Sequence, residues 1–190
     1  AGDMAFAGIE RQHAILAFDL KAAGGDILLA RGKPLPLPDF VKAWPENRGI
    51  EALGILPAGP YAGRLIGLAE RSGERDPTTE GFVMKRDGGE PFRFLLRRYD
   101  NFDVTSLDFL PDGDLIVLER FFSPRRGVAM RLRRVRTGEI GPERTVDGEI
   151  LLTADNGHHV DNMEGLSIHR SAQGETLLTL VSDDNFSIAQ

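Results

Sequence analysis

Residues 155–165 read DNGHHVDNMEG and bring Asp155, Asn156, His158, His159, Asp161, Asn162 and Glu164 into one short stretch. One strand pair later the chain reads SDDN, adding Asp183, Asp184 and Asn185. Carboxylate, amide and backbone oxygens at this density suit calcium, which takes about six to eight oxygen ligands. The expected cofactor is therefore calcium, held by Asp161, Asn162, Glu164, Asp183, Asp184 and Asn185. His158 and His159 are sequence neighbours, and neighbouring side chains of an extended chain point apart, so the pair suits a transition metal poorly. Both are instead candidates for substrate contact. Asp and Asn also populate turns for backbone reasons alone, which leaves SDDN as a turn and Asn162 as a strand cap as the plainer alternative.

A second set of groups is cationic. Arg120, Arg125 and Arg126 flank the segment RFFSPRRG, and guanidinium forks match phosphate or carboxylate oxygens two at a time. They are expected to bind the acidic part of a substrate. Glu51 and Glu164 are the candidates for general base. With calcium bound, the arrangement would suit a phosphate ester; if esters are hydrolysed, the economical mechanism is a calcium-held water activated by one of these carboxylates, with the arginines stabilising developing negative charge. The chain has no G-x-S-x-G elbow, H-E-x-x-H pair, phosphate loop or dinucleotide fingerprint, which argues against a serine-triad hydrolase of the usual kind. Arg131, Arg133, Arg134 and Arg136 continue as a charge run, which reads as the solvated, edge-protecting face of an outer strand.

The elements that must position these groups are clearest in residues 105–136. Residues 106–110 alternate, with Leu107 and Phe109 on one face. Pro111, Asp112 and Gly113 then reverse the chain. Residues 115–118 form a continuous apolar run, which suits a strand buried on both faces, and residues 128–135 form a third strand. Residues 49–71 and 162–184 repeat the order of alternating strand, turn, apolar strand and terminal acid. Leu53, Leu107 and Leu166 align at spacings of 54 (53 to 107) and 59 (107 to 166) residues. Residues 4–11 and 13–20 match second and third strands of a further copy, with residues 26–30 as its outer strand. The helical signal is limited to one turn within residues 39–44.

A period of about 55 residues holding four short strands is the signature of a propeller blade. The expected fold is an all-β, β-propeller-like array of four-stranded antiparallel blades, incomplete in this chain: a partial blade at 1–40, blades at 49–100 and 103–155, and a partial blade at 160–190. Closed propellers have about four to eight blades. The chain is accordingly expected to be a single propeller-like domain or the later part of one in a longer protein whose remaining blades are its partners, and, because of its open edges, to be poorly soluble alone or to pair with a missing segment.

In such a blade the start of the first strand and the end of the second share one face. Glu51 and Glu164, each two residues before its aligned leucine, should therefore face a funnel that also receives Glu10, Glu70, Glu119 and Asp183, with Thr105 at the equivalent place in the middle blade. A ring of carboxylates needs cations to neutralise it. The competing expectation is that each Glu-Arg pair is a structural device repeated in every blade.

Composition limits the alternatives. Apolar residues make up 41% and charged residues 27%, as in ordinary globular chains. No apolar run approaches the roughly 20 residues of a membrane-spanning helix. A net charge of -6 argues against general nucleic-acid binding, and the absence of cysteine excludes disulfides and thiolate metal sites.

The segments GIEAL, LDFLPDGDLIVLERFFSP, DNMEGLS and LVSDDNFS resemble the bacterial phytase-like family, described as esterase-like activity of phytase. The resemblance runs from ERQH near the start to SDDNF near the end. It implies a propeller-like fold, esterase or phosphoesterase activity on a small-molecule ester, and an exported, periplasmic or secreted protein. A strand of the Glu-Gly-Leu type expected before ERQH is absent. The alternative function is a non-catalytic propeller that binds a ligand or protein through the same funnel, since the fold alone cannot choose.

Overall fold

Alternating apolar residues and Pro/Gly turns decide where the strands fall. The structure is a computed structural model that describes residues 3–45, 48–73, 76–158 and 160–183, with Glu10 and Asn156 described in their backbone only. The first sheet holds β1 (Met4–Ile9), β2 (Ala14–Asp19) and β3 (Gly32–Pro34). The second holds β4 (Ile50–Ile55), β5 (Leu65–Ala69), β6 (Thr78–Met84) and β7 (Phe92–Arg97). The third begins with β8 (Asp103–Phe109), β9 (Leu115–Ser123) and β10 (Gly127–Val135). The chain then sends β11 (Thr145–Val146) back to lie parallel to β7, and returns to complete the third sheet with β12 (Glu149–Asp155). The fourth sheet is the pair β13 (Met163–Arg170) and β14 (Thr176–Ser182).

The chain is all-β with one helical turn, α1 (Asp39–Lys42), and its antiparallel sheets are consistent with incomplete propeller-like blades. The turn between β8 and β9 follows from Pro-Asp-Gly: Gly113 takes φ 93° and its N–H donates to Leu110 O at 2.9 Å, while Leu110 N–H donates to Asp114 O at 2.8 Å.

The sheets lie face to face with an apolar layer in each gap. Ile15, Val41, Trp44, Leu65 and Phe82 fill the first gap. Ile66, Leu68, Phe94, Leu107, Leu115 and Val117 fill the second. In the third gap Ile116, Leu118, Met130 and Leu132 meet Leu166, Ile168 and Leu178. β9 thus sends Leu115 and Val117 one way and Ile116 and Leu118 the other, which accounts for its unbroken apolar run. Close strand packing also fixes a glycine in β5. Gly67 pairs with Phe82 of β6, and a Cβ at Gly67 would meet that ring at 2.3 Å.

The structure departs from the sequence expectation in two places. Residues 26–30 are not a strand. The Asp26 carboxylate accepts from Leu28 N–H at 2.9 Å and caps a 3-10 turn (Ile27–Leu29), leaving Leu28 89% exposed, and the outer strand is β3 instead. Capping by Asp26 holds the run in a turn, and the free edge of β2 is taken by β3. The second departure concerns the arginine run. Arg131 and Arg133 are buried, because β10 lies inside its sheet, between β9 and β12, and turns those side chains toward the second sheet.

There Arg133, 1% exposed, pairs with Glu119, 2% exposed, at 2.5 Å. Its other terminal nitrogen donates to Arg97 O at 2.8 Å, and its guanidinium lies 5.8 Å from the Tyr99 ring centroid. Arg131 stacks on Phe102 at 4.0 Å and donates to Asp100 at 2.9 Å. Burial holds the Glu119 carboxyl above its ordinary range, against the opposing pull of Arg133.

Breaking one side of a buried ion pair leaves an uncompensated charge. Arg133→Met is expected to destabilise the fold by about 3–5 kcal/mol, and adding Glu119→Leu should recover most of that loss in urea unfolding. A carboxyl whose folded pKa lies above its unfolded one stabilises the fold while protonated, and loses that contribution as pH rises through the folded value. The stability of the unsubstituted protein relative to Glu119→Gln should therefore fall as pH rises from the ordinary glutamate range upward. A difference that is flat with pH, or grows, would contradict this.

Candidate active site

Each inner hairpin interrupts its ladder at a corresponding place. In β4 the register shifts between Ile50 and Ala52, in β8 between Val104 and Ser106, and in β13 between Met163 and Gly165. The bulged residues are Glu51, Thr105 and Glu164, and each bulge resets the alternation of its strand. Residues three apart then share a face: Ile50 and Leu53 in the first gap, Val104 and Leu107 in the second, Met163 and Leu166 in the third.

The same registers decide what stands opposite. Leu53 pairs with Gly67, Leu107 with Val117 and Leu166 with Leu180. Counting on from these pairs aligns Glu70 with Arg120 and Asp183, whereas Glu119 aligns with Ala69. The two Glu-Arg endings are thus one residue out of step, and a one-residue slip turns a side chain to the opposite face. Glu119 enters the buried seam between the second and third sheets, and Arg120 emerges toward the fourth.

Arg120 is the hinge of the site. One terminal nitrogen lies 3.0 Å from Glu164 Oε1 and donates to Asn162 Oδ1 at 2.6 Å. The other lies 3.5 Å from Glu70 Oε1. Asn162 Nδ2 donates to the same Glu164 oxygen at 2.7 Å. Beyond Glu70 the alternation of charge continues: Arg71 reaches Glu70 at 3.8 Å and Asp103 at 3.0 Å, and Asp103 accepts from buried Arg98 at 2.8 Å. Three sheets contribute to this chain of pairs. It borders a cleft of about 500 Å³ lined by Glu70, Arg71, Asp103 and Arg120 on one side and by Phe121 and Phe122 on another.

β8 holds β13 in position for this arrangement. Thr105 Oγ1 donates to Met163 O at 3.0 Å. Ser106 Oγ and Asp108 Oδ2 accept from the N–H groups of Leu166 and Ile168 at 3.2 and 2.6 Å. Three backbone groups on the edge of β13 that faces away from β14 are thereby satisfied, and they bracket Glu164.

Of the residues singled out in the sequence, Arg120, Asn162 and Glu164 come together directly. Asp161 accepts from Asn162 N–H at 2.8 Å, and Asp183 N–H donates to Asn162 O at 2.9 Å, so both stand beside the cluster. Glu51 lies on β4, with β8 packed between it and β13. His158 pairs with Asp155 at 3.1 Å in an exposed 3-10 turn, apart from the ion-pair chain. Arg125 is exposed at the β9–β10 turn, and Arg126 stacks on Phe121 at 4.9 Å. His159, Asp184, Asn185 and the Glu10 side chain lie outside the described residues. Arg71, Asp103 and Arg98 were not singled out as site residues. The sequence signal for Asp103 is its place 59 residues before Asn162, the same interval that separates Leu107 from Leu166.

The chain matches the phytase-like family model, described as esterase-like activity of phytase, over residues 1–186. It belongs to the phytase-like family. No curated protein and no solved structure matches it. Family membership suggests an esterase-like hydrolase activity; the cleft of this phytase-like chain is lined by the guanidiniums of Arg71 and Arg120, and Glu164 is held beside it by Arg120 and Asn162.

If Arg120 receives an anion, Arg120→Gln should weaken binding of inorganic phosphate about 10–100-fold in titration calorimetry, the range for a lost hydrogen bond to a charged group. Its effect on stability should stay within about 1 kcal/mol, as for a partly exposed pair.

Proposed function

We propose that this phytase-like protein hydrolyses small phosphate or carboxylic esters in the cleft between Arg71, Arg120 and the β9 aromatics. The observation that carries this reading is that Arg120 faces the cleft while holding Glu164 through its other contacts. Asn162 and Arg120 both bind Glu164 Oε1 beside the cleft, and in this reading the second carboxylate oxygen holds the attacking water. In the reaction that water loses a proton to Glu164 as its oxygen bonds to phosphorus or to the acyl carbon. The ester bond breaks with its electron pair on the leaving oxygen, and the proton passes from Glu164 to that oxygen, giving an acid and an alcohol. Arg71 and Arg120 stabilise the negative charge that develops on the transferred group.

Two of the six expected calcium ligands, Asp184 and Asn185, lie outside the described residues, and the proposed reaction draws on the described donors alone. Among the described residues no three His, Asp or Glu side chains are gathered to share an ion. Glu164 Oε1 and the Asn162 side-chain oxygen are both engaged by Arg120. The positive charge that calcium was expected to bring is supplied at this point by a guanidinium, so no step is routed through the metal.

Glu164→Gln should lower kcat on an ester substrate about 10²–10⁴-fold, the usual contribution of a general base, with KM within about three-fold. Chelation with EDTA should leave the rate within two-fold. A loss of activity in EDTA that calcium restores would return the metal to the mechanism. Activity that survives Glu164→Gln would remove Glu164 as the base. Phosphate binding without turnover of any ester would favour a non-catalytic binding protein that uses the same cleft.

A further inference from the structure

The strand that supplies Arg120 does not stop at the cleft. β9 continues to Ser123, whereas β5, its counterpart in the second sheet, ends at Ala69. The overhanging residues carry Phe121 and Phe122, and both line the cleft beside the arginines. Their surroundings differ sharply. Phe121 is locked in a stack, with Arg126 4.9 Å above it and Phe102 5.6 Å away, and Phe102 is in turn covered by Arg131 at 4.0 Å. Phe122 is 68% exposed. A large aromatic side chain left in water at the mouth of a polar cleft, on a wall braced by a cation–aromatic stack, is a ready platform for a flat or apolar group.

We infer that the cleft selects esters that join an anionic group to an aromatic one, with Phe122 as the specificity-determining residue. This rests on the hydrolase reading above and narrows it. The anionic end meets Arg71 and Arg120, and the ring of the leaving group lies on Phe122. A purely polar polyol phosphate would bind the arginines but leave the aromatic surface in water, with no gain from it. Hydrolysis of an aryl phosphate has the same balance as above, with the phenol oxygen taking the proton.

The test compares phenyl phosphate with glycerol 2-phosphate on the unsubstituted protein, Phe122→Ser and Phe122→Tyr. The expected result is a kcat/KM preference for phenyl phosphate that falls about five-fold or more in Phe122→Ser, mainly through KM, and is retained in Phe122→Tyr, with glycerol 2-phosphate unchanged within two-fold. An unaltered preference in Phe122→Ser, or equal loss on both substrates, overturns the proposal. Calorimetry separates this from failure of the hydrolase reading. If neither ester turns over, phenyl phosphate should still bind more tightly than inorganic phosphate, and that margin should vanish in Phe122→Ser. Equal affinities in the unsubstituted protein overturn the platform irrespective of catalysis. Because Phe122 is exposed, a folding defect is not expected, and a melting temperature within a few degrees of the parent checks this.

Discussion

The seam between the second and third sheets is held by Glu119 and Arg133, and β9 and β10 give these side chains no route to solvent. Both strands are covered on each face, so a charged side chain at the end of either must be neutralised by another brought to the same seam. Arg133 meets that requirement for Glu119, helped by the carbonyl of Arg97, and Arg98 does the same for Asp103. Arg134 stays part-exposed beside Asp112 and Asp114, but Arg133 is therefore not a decoration of the surface. It keeps the Glu119 carboxylate compatible with burial.

The site follows from that seam through simple alternation. Because Glu119 faces inward, its neighbour Arg120 must face the other way, toward β13, where it finds Glu164 and Asn162. Glu164 can be there because β13 is bulged at that residue and because Thr105, Ser106 and Asp108 of β8 hold the strand. A scaffold pair and a candidate catalytic pair thus occupy consecutive positions of one strand. Repacking at Glu119 that shifted β9 by one residue would exchange their faces and dismantle both.

The architecture was legible where local chemistry and burial point the same way. Pro-Asp-Gly and the alternation around Leu107 gave β8 and its turn, and the run from Leu115 to Leu118 announced a strand covered on both sides. Glu51 and Glu164, equated across the repeats, are both bulge residues, and apolar residues three apart astride an acid are the trace a bulge leaves in sequence. What could not be read was register. Equating Glu70 with Glu119 relied on a matching dipeptide, but the turn after β4 is longer than the turn after β8, and pairing follows the strands rather than the motif. The buried arginines were missed for a related reason: nothing local reveals that β10 would be flanked by β12 and faced by the second sheet. The parallel return of β11 depends on a partner some fifty residues distant, and it carries no periodic signal in two residues.

Strand length turns this scaffold into a site. The cleft opens because β5 stops at Ala69 while β9 runs on to Ser123, so the third sheet stands above the end of the second. Along that overhang the packing that constrains Leu115 to Glu119 gives way at Phe122, whose identity can be set by what occupies the cleft. Phe121 spends its face on Phe102 and Arg126 and so stiffens the wall, whereas Phe122 keeps its face open. The division of labour is geometric: residues up to Glu119 serve stability, Arg120 joins the seam to the charge chain, and Phe122 is the residue proposed to govern selection. A change at Phe122 should therefore alter substrate choice at little cost in folding, because that side chain is largely exposed, whereas Phe121 packs on buried Phe102.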